Sequence, residues 1–209
     1  MRTKKAKRPL IIGITGGMGT GKTSVAAMFK KFGALVLDAD KIAHYDMEKG
    51  KNMYEMIIKE FGKDILLRSG QIERRKLAAV VFKDRIALDR LCAIVHPVVI
   101  RHVNEYIKKA TKKPEIPAVI IDAPLLLEAG MHSMLDALIV VKASVRTQIE
   151  RTGKKTGQSP AEIKRRMRNQ IPLRKKLILA DYIIDNEGSK RNMRKIVSKI
   201  WKEIKSGRD

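Results

Sequence analysis

The segment that most constrains this chain is Gly16-Gly17-Met18-Gly19-Thr20-Gly21-Lys22-Thr23, whose spacing is G-x-x-x-x-G-K-[ST]. It follows the β-branched run of residues 10–14 and opens a stretch, 23–32, with Val25, Met28, Phe29 and Phe32 at helical spacing and Gly33 as a stop signal. A short apolar run closed by glycines reads as a buried strand, so the order is strand, glycine loop, helix. Glycines let backbone N–H groups close around a phosphate, and the helix N-terminus adds its positive dipole end. Lys22 has the reach for β- and γ-phosphates, and the Thr23 hydroxyl suits Mg²⁺. A plain glycine turn also joins strands to helices, but all three parts in the required order favour a nucleoside triphosphate site.

The remaining pattern extends this unit into a sheet. Residues 34–37 form a second apolar run entering Asp38-Ala39-Asp40, 118–121 a third entering Asp122-Ala123-Pro124, 138–141 a fourth, and 182–184 a fifth before Asp185-Asn186. Residues 41–113 are helical in pattern, broken at Phe61-Gly62 and Ser69-Gly70, with a boundary or kink expected at His96-Pro97. A helix is expected over 144–151 and a basic amphipathic one over 189–205. Short apolar strands alternating with helices predict an α/β fold, a doubly wound parallel five-stranded sheet with helices on both faces. Three strands end in polar residues, at the edge where open parallel sheets place ligands.

Those polar ends are the next candidates. A carboxylate of Asp38 or Asp40 suits a base that takes a proton from a substrate hydroxyl, yet Asp is also a favoured helix cap, and position alone leaves both readings open. Asp122 fits a carboxylate organising Mg²⁺ through water, or a turn initiator before Pro124. Residues 151–177 hold Arg151, Lys154, Lys155, Lys164, Arg165, Arg166, Arg168, Arg174, Lys175 and Lys176, with Gly153 and Gly157 as hinges and Ser159-Pro160 as a helix start. A mobile helical cover there would exclude water and neutralise a transferring phosphoryl group. Helical spacing lets only two or three of these side chains face one ligand, and the rest form a solvated face. His96 reads as a structural histidine or a substrate contact. Phe61, Phe82 and Trp201 read as packing residues.

Charge bears on partners. The 209 residues carry 45 Lys plus Arg against 22 Asp plus Glu, a net charge of +23. Residues 1–9 contribute +5, residues 10–141 another +5, and residues 142–209 the remaining +13. A basic surface suggests a polyanion, whether nucleic acid, anionic lipid or a phosphorylated small molecule, and composition does not choose among them. No recognisable base-reading module is present, so no specific nucleic acid partner is expected. No apolar run approaches the ~20 residues of a membrane span, and the lone Cys92, in the apolar run LCAIV, reads as a buried inert thiol. The expectation is a cytoplasmic protein, with a basic disordered tail at 1–9 and a single domain from 10 to 209.

Taken together, these residues resemble the dephospho-coenzyme A kinase family of P-loop kinases. The resemblance is carried by ITGGMGTGKT, LDAD, Phe61-Gly62, Gly70, Arg74-Arg75-Lys76-Leu77, Val81-Phe82, His96-Pro97, DAPLLLEAG, residues 148–151, Gln170-Ile171-Pro172 and ADYIIDNEGS, in order from residue 10 to about 205. It implies ATP-dependent phosphorylation of the 3′-hydroxyl of dephospho-coenzyme A, giving coenzyme A and ADP, with Mg²⁺. It further implies a core of about 10–43, 115–150 and 178–205, a helical acceptor-binding region of about 44–113, and a lid of about 151–177. By residue, it implies Asp40 as base rather than Asp38, with Lys22 and Arg151 as its catalytic partners. ATP would be bound by Gly17, Met18, Gly19, Thr20, Gly21, Lys22, Thr23 and Asn186. The acceptor would be held by Thr15, Asp40, Arg74, Leu77 and His96, and the metal by Thr23 with Asp122 through water. A second lid arginine of the family stands here as Lys155, which keeps the charge without bidentate geometry. The implied assembly is a monomer or small homo-oligomer whose partners are ATP and dephospho-coenzyme A.

Overall fold

Alternation within the strands decides how the layers stack. The computed structural model describes residues 8–206. In β1 (Leu10–Thr15) the side chains of Ile12 and Ile14 point to one face, while Gly13 faces the other. A Cβ on Gly13 would lie 2.5 Å from Leu135 Cδ1 and 2.8 Å from Leu126 Cδ1, so glycine is what allows those leucines to close on the strand. Four further strands flank β1: β2 (Leu35–Asp38), β3 (Ala118–Asp122), β4 (Ala137–Lys142) and β5 (Tyr182–Asp185). The sheet is parallel, in the order β2-β3-β1-β4-β5. From β1 the chain leaves towards β2, whereas β3 and β4 on either side of it send the chain the other way. The order therefore reverses at β1, and the carboxyl ends of its neighbours open a crevice there.

Helices α1 (Lys22–Lys30) and α9 (Lys190–Ser206) cover the face bearing Ile12 and Ile14. Val25, Ala26 and Phe29 of α1 meet Met193, Val197, Ile200 and Trp201 of α9 over Ile120, Ile139, Val141 and Ile184. Phe29 and Trp201 pack edge to face, with ring centroids 5.9 Å apart. The expected tail at 1–9 lies mostly outside the described residues. Of its last two, Arg8 forks onto Asp136 with contacts of 2.6 and 2.8 Å, and Pro9 is buried.

The described residues divide into two compact units, 8–37 with 106–206, and 38–105. The second unit holds α2 (Ala39–Asp46), α3 (Asn52–Phe61), α4 (Arg74–Val81) and most of α5 (Arg85–Ala110). Met53, Ile57, Ile65, Leu77, Val81, Leu88 and Val98 form its core, and Cys92 packs half-buried against them. Gly62 ends α3, and Gly70, at φ +80°, turns the chain between Leu66 and Ile72, which pair across an isolated antiparallel bridge.

Of the boundary or kink expected at His96-Pro97, the boundary is corrected by the structure, because α5 is helical from Arg85 to Ala110 with Pro97 inside it. Pro97 is exposed while Val98, Val99 and Val103 are buried. Burial of that apolar face holds the helix together across a residue that ordinarily costs a helix interior about 3 kcal/mol.

In the first unit, α6 (Val145–Thr156) begins at the Ser144 cap and passes the expected end at residue 151 without a break. Gly153 lies inside it, and Gly157, at φ +69°, caps its end. Helix α7 (Pro160–Arg168) starts with a full capping box, Ser159 and Glu162 each accepting from the other's backbone N–H, with Pro160 at the first position. Helix α8 (Leu173–Ile178) leads into β5. Among the described residues no helix is long and apolar enough to cross a membrane.

Candidate active site

The glycine loop joins β1 to α1 at the reversal point of the sheet. Its last glycine, Gly21, is the N-cap of α1 in the left-handed region, with no side-chain cap, and the first turn carries no acid. A helix left in this form presents its N–H groups and positive end to an anion. Lys22 is almost buried, with Nζ donating to the Gly17 carbonyl at 3.0 Å, and Thr20 Oγ1 donates to the same oxygen at 2.9 Å. Thr23 is exposed on the first turn, and Met18 lies half-buried in the loop. Gly19, at φ +74°, is pressed against α6: a Cβ there would lie 2.5 Å from the Gln148 carbonyl oxygen and 2.6 Å from Thr152 Oγ1.

Two elements hold the loop from behind. Buried Asn186, after β5, donates from Nδ2 to the Thr20 carbonyl at 2.8 Å, and its own carbonyl accepts from Arg151 Nη2 at 3.0 Å. Gln148 of α6 donates from Nε2 to the Ala143 carbonyl at 2.8 Å. Gln148 Oε1, Thr152 Oγ1 and Arg151 Nη1 are buried with no hydrogen-bond partner among the described residues. Buried donors and acceptors left in that state mark where a ligand or water completes the network. Glu187, next to Asn186, accepts from the Ser144 backbone N–H and the Thr147 hydroxyl, and these bonds hold its carboxyl below the usual range.

On the other side of β1, Asp122 ends β3 opposite Ile14 and is buried. The turn after it meets β1 through Ala123 N to the Ile14 carbonyl and Thr15 Oγ1 to the Pro124 carbonyl. A hydroxyl and a carboxylate are hard oxygen donors, and Thr23 with Asp122 suits Mg²⁺, an ion that keeps waters and phosphate oxygens as its other ligands.

Further along, Glu128 and Lys176 tie this turn to α8. Lys176 is 1% exposed, with Nζ 3.0 Å from Glu128 Oε1 and 2.9 Å from the Pro124 carbonyl. Glu128 also accepts from Ile171 N at 2.8 Å. Lys154, Lys155, Lys164, Arg165, Arg168, Arg174 and Lys175 are solvent-exposed; Arg151 and Arg166 are partly buried, and Lys176 wholly so.

The second unit carries its own cluster. Asp38 is the N-cap of α2, its Oδ1 accepting from Lys41 N at 3.0 Å, whereas Asp40 is exposed in the first turn. One turn on, His44 lies against Arg74, the first residue of α4, with Nη1 3.0–3.1 Å from the ring nitrogens. Leu77 is in the core of this unit, and His96 is half-buried in α5. Nothing in the sequence singles out His44, Glu128 or Thr152, and Lys176 stands only among the basic residues of the expected lid. Glu128 stood in a quoted motif, but the sequence carried no sign of what it binds.

Residues 10–192 match the family model described as CoaE, dephospho-CoA kinase. The chain belongs to the dephospho-CoA kinase family. It is 43% identical over 194 residues to a dephospho-CoA kinase of Aquifex aeolicus, covering 92% of this chain and 96% of the relative. It is 38% identical over 195 residues to that of Carboxydothermus hydrogenoformans, covering 93% and 94%. Among solved structures, a Thermus thermophilus protein, TT1252, superposes with a TM-score of 0.78 at 33% identity, over 94% of this chain and 98% of that one. A shikimate kinase of Bacteroides thetaiotaomicron, at 13% identity and a TM-score of 0.55 over 94% and 98%, shares the fold alone. Dephospho-CoA kinase activity, a phosphotransfer that uses ATP, follows from this membership.

Proposed function

We propose that the chain transfers the γ-phosphoryl group of ATP to the 3′-hydroxyl of dephospho-coenzyme A. The observation that carries the reading is the uncapped α1 behind a glycine loop that already holds Lys22, in a chain matching the family over residues 10–192. The triphosphate lies against the N–H groups of the loop, Gly17 to Thr23, and Lys22 exchanges the Gly17 carbonyl for its β- and γ-oxygens. Arg151, braced by the Asn186 carbonyl, directs its buried Nη1 to the charge of the transferring group, with Asn186 fixing the loop at Thr20. Thr23, with Asp122 through water, would hold Mg²⁺, which would supply neutralisation of phosphate charge. Asp40 accepts the proton of the 3′-hydroxyl as the new O–P bond forms and the bond from the γ-phosphorus to its bridging oxygen breaks, releasing ADP. Its partner in sequence, Asp38, is engaged as a helix cap, which supports Asp40 as the base. Arg74 and His96, together with Thr15, contact the acceptor, while Leu77 supports that region from the core.

Purified protein with Mg²⁺ and ATP releases ADP in proportion to added dephospho-coenzyme A, and the product carries its new phosphate at the 3′ position. Failure with this acceptor, alongside good turnover of a nucleoside monophosphate, overturns the reading.

A further inference from the structure

The carbonyl of Pro124 is a meeting point of three segments of the first compact unit. It stands in the turn after β3, just beyond Asp122, and accepts from Thr15 Oγ1 at 3.3 Å and from Lys176 Nζ at 2.9 Å. Lys176 Nζ also lies 3.0 Å from Glu128 Oε1 and 3.4 Å from Oε2, and Oε1 accepts the Ile171 N–H at 2.8 Å. Thr15 is fully buried and Lys176 is 1% exposed. Thr15 directly precedes the glycine loop, and beside it the Ile14 carbonyl accepts from Ala123 N. Ile171 belongs to the short connection between α7 and α8. A buried ion pair is a poor device for stability alone, because apolar side chains of the same volume commonly serve as well. What apolar groups lack is direction. An ammonium carries three N–H donors, and here it grips a carboxylate and a main-chain carbonyl at once.

We propose that Lys176 and Glu128 are positioning residues of the phosphoryl transfer. The pair locks the turn at 122–124 against the end of β1, so that Thr15 and Asp122 keep one geometry beside the glycine loop. Buried as it is, Lys176 acts through the Pro124 carbonyl and not on substrate. Glu128 neutralises the ammonium and, through the Ile171 N–H, ties the turn to the chain that returns from α7. The glycine loop has separate supports, Asn186 at the Thr20 carbonyl and α6 against Gly19. Loss of the pair therefore loosens the turn and spares the nucleotide site. A misplacement of about 1 Å among reacting groups is enough to slow a transfer by ~10²-fold.

This role rests on Thr15 and Asp122 serving the transfer as proposed above, and the test separates the two. Lys176→Met combined with Glu128→Leu fills the same space with apolar atoms but offers the Pro124 carbonyl no donor. Lys176→Arg keeps a cation and its donors. Both are compared with the wild type by thermal unfolding, nucleotide titration, amide hydrogen exchange and steady-state kinetics with dephospho-coenzyme A, expressed per folded molecule. The double variant melts near the wild type and binds ATP within about threefold of it, while kcat falls roughly tenfold or more. Exchange in peptides spanning 122–128 and 169–173 quickens about tenfold, with β4 unchanged. Lys176→Arg keeps kcat within about threefold of the wild type. Wild-type turnover in the double variant, unchanged exchange over 122–128, an ATP affinity that falls as far as kcat, or a Lys176→Arg enzyme as slow as the double variant overturns the positioning role. Normal turnover in both Thr15→Val and Asp122→Asn overturns instead the parts given to those two residues, a result that exchange at the junction does not touch.

Discussion

Two carboxylates stand two residues apart at the start of α2, and one of them, Asp38, is the helix cap. Asp38 caps α2 through Lys41 N, so Asp38→Ala is expected to cost about 1 kcal/mol in a urea titration. Turnover per folded molecule should stay within a few-fold. Asp40 lies in the first turn of α2 beyond the cap, and Asp40→Asn keeps shape while removing the basic oxygen. Its ATP affinity, read by nucleotide titration, should be unchanged while turnover falls by roughly 10²- to 10⁴-fold. Near-normal turnover would remove Asp40 as the base. Local sequence offers no way to tell the two apart, since both are Asp beside a helix start. Which of them takes the Lys41 N–H is decided by the backbone geometry at the start of α2.

At the scale of elements, the glycine loop and the strands were legible because their chemistry is local. Gly19 and Gly21 occupy left-handed conformations open to glycine, and that requirement is written in the sequence. The anchoring of α8 was not. Arg174, Lys175 and Lys176 stand undivided in the basic segment read as a lid, yet only Lys176 of the three turns inward, to Glu128 and the Pro124 carbonyl. A lysine enters a core only where partners already wait for it, and those partners lie 48 and 52 residues away. Lys176→Met leaves the Glu128 carboxylate buried without its cation, and unfolding free energy should fall by about 3–5 kcal/mol. Pairing it with Glu128→Leu should recover most of that loss; a double variant as unstable as the single one would mean that the ion pair is not what anchors α8. The same logic explains Pro97, where local preference allowed a boundary or a kink and α5 runs on past it over buried valines.

For the whole molecule, charge is the dominant long-range term. The excess sits on exposed side chains, among them Lys195, Lys199 and Lys202 of α9 and most of the lysines and arginines of α6 to α8. At +23 the folded chain repels itself, and salt relieves that repulsion. Raising ionic strength from 0.01 to 0.15 M shortens the screening length from about 30 to about 8 Å. The thermal midpoint of the free protein should therefore rise by several degrees over that range. A midpoint that falls instead would mean that the surface ion pairs, such as Arg8 with Asp136 and Lys142 with Asp185, outweigh the net repulsion.

The amino-acid sequence by itself determined the parallel α/β sheet, the phosphate loop at the end of its first strand and the family. Those depend on periodicity, on glycine's backbone freedom and on motif spacing, all carried along the chain. Only the tertiary structure decided which of two neighbouring aspartates is a cap, which of many lysines is buried, and that a histidine on α2 meets an arginine from α4. Each of these is settled by a partner distant in sequence, and the strength of a polar contact depends on burial and geometry that no single stretch of chain contains.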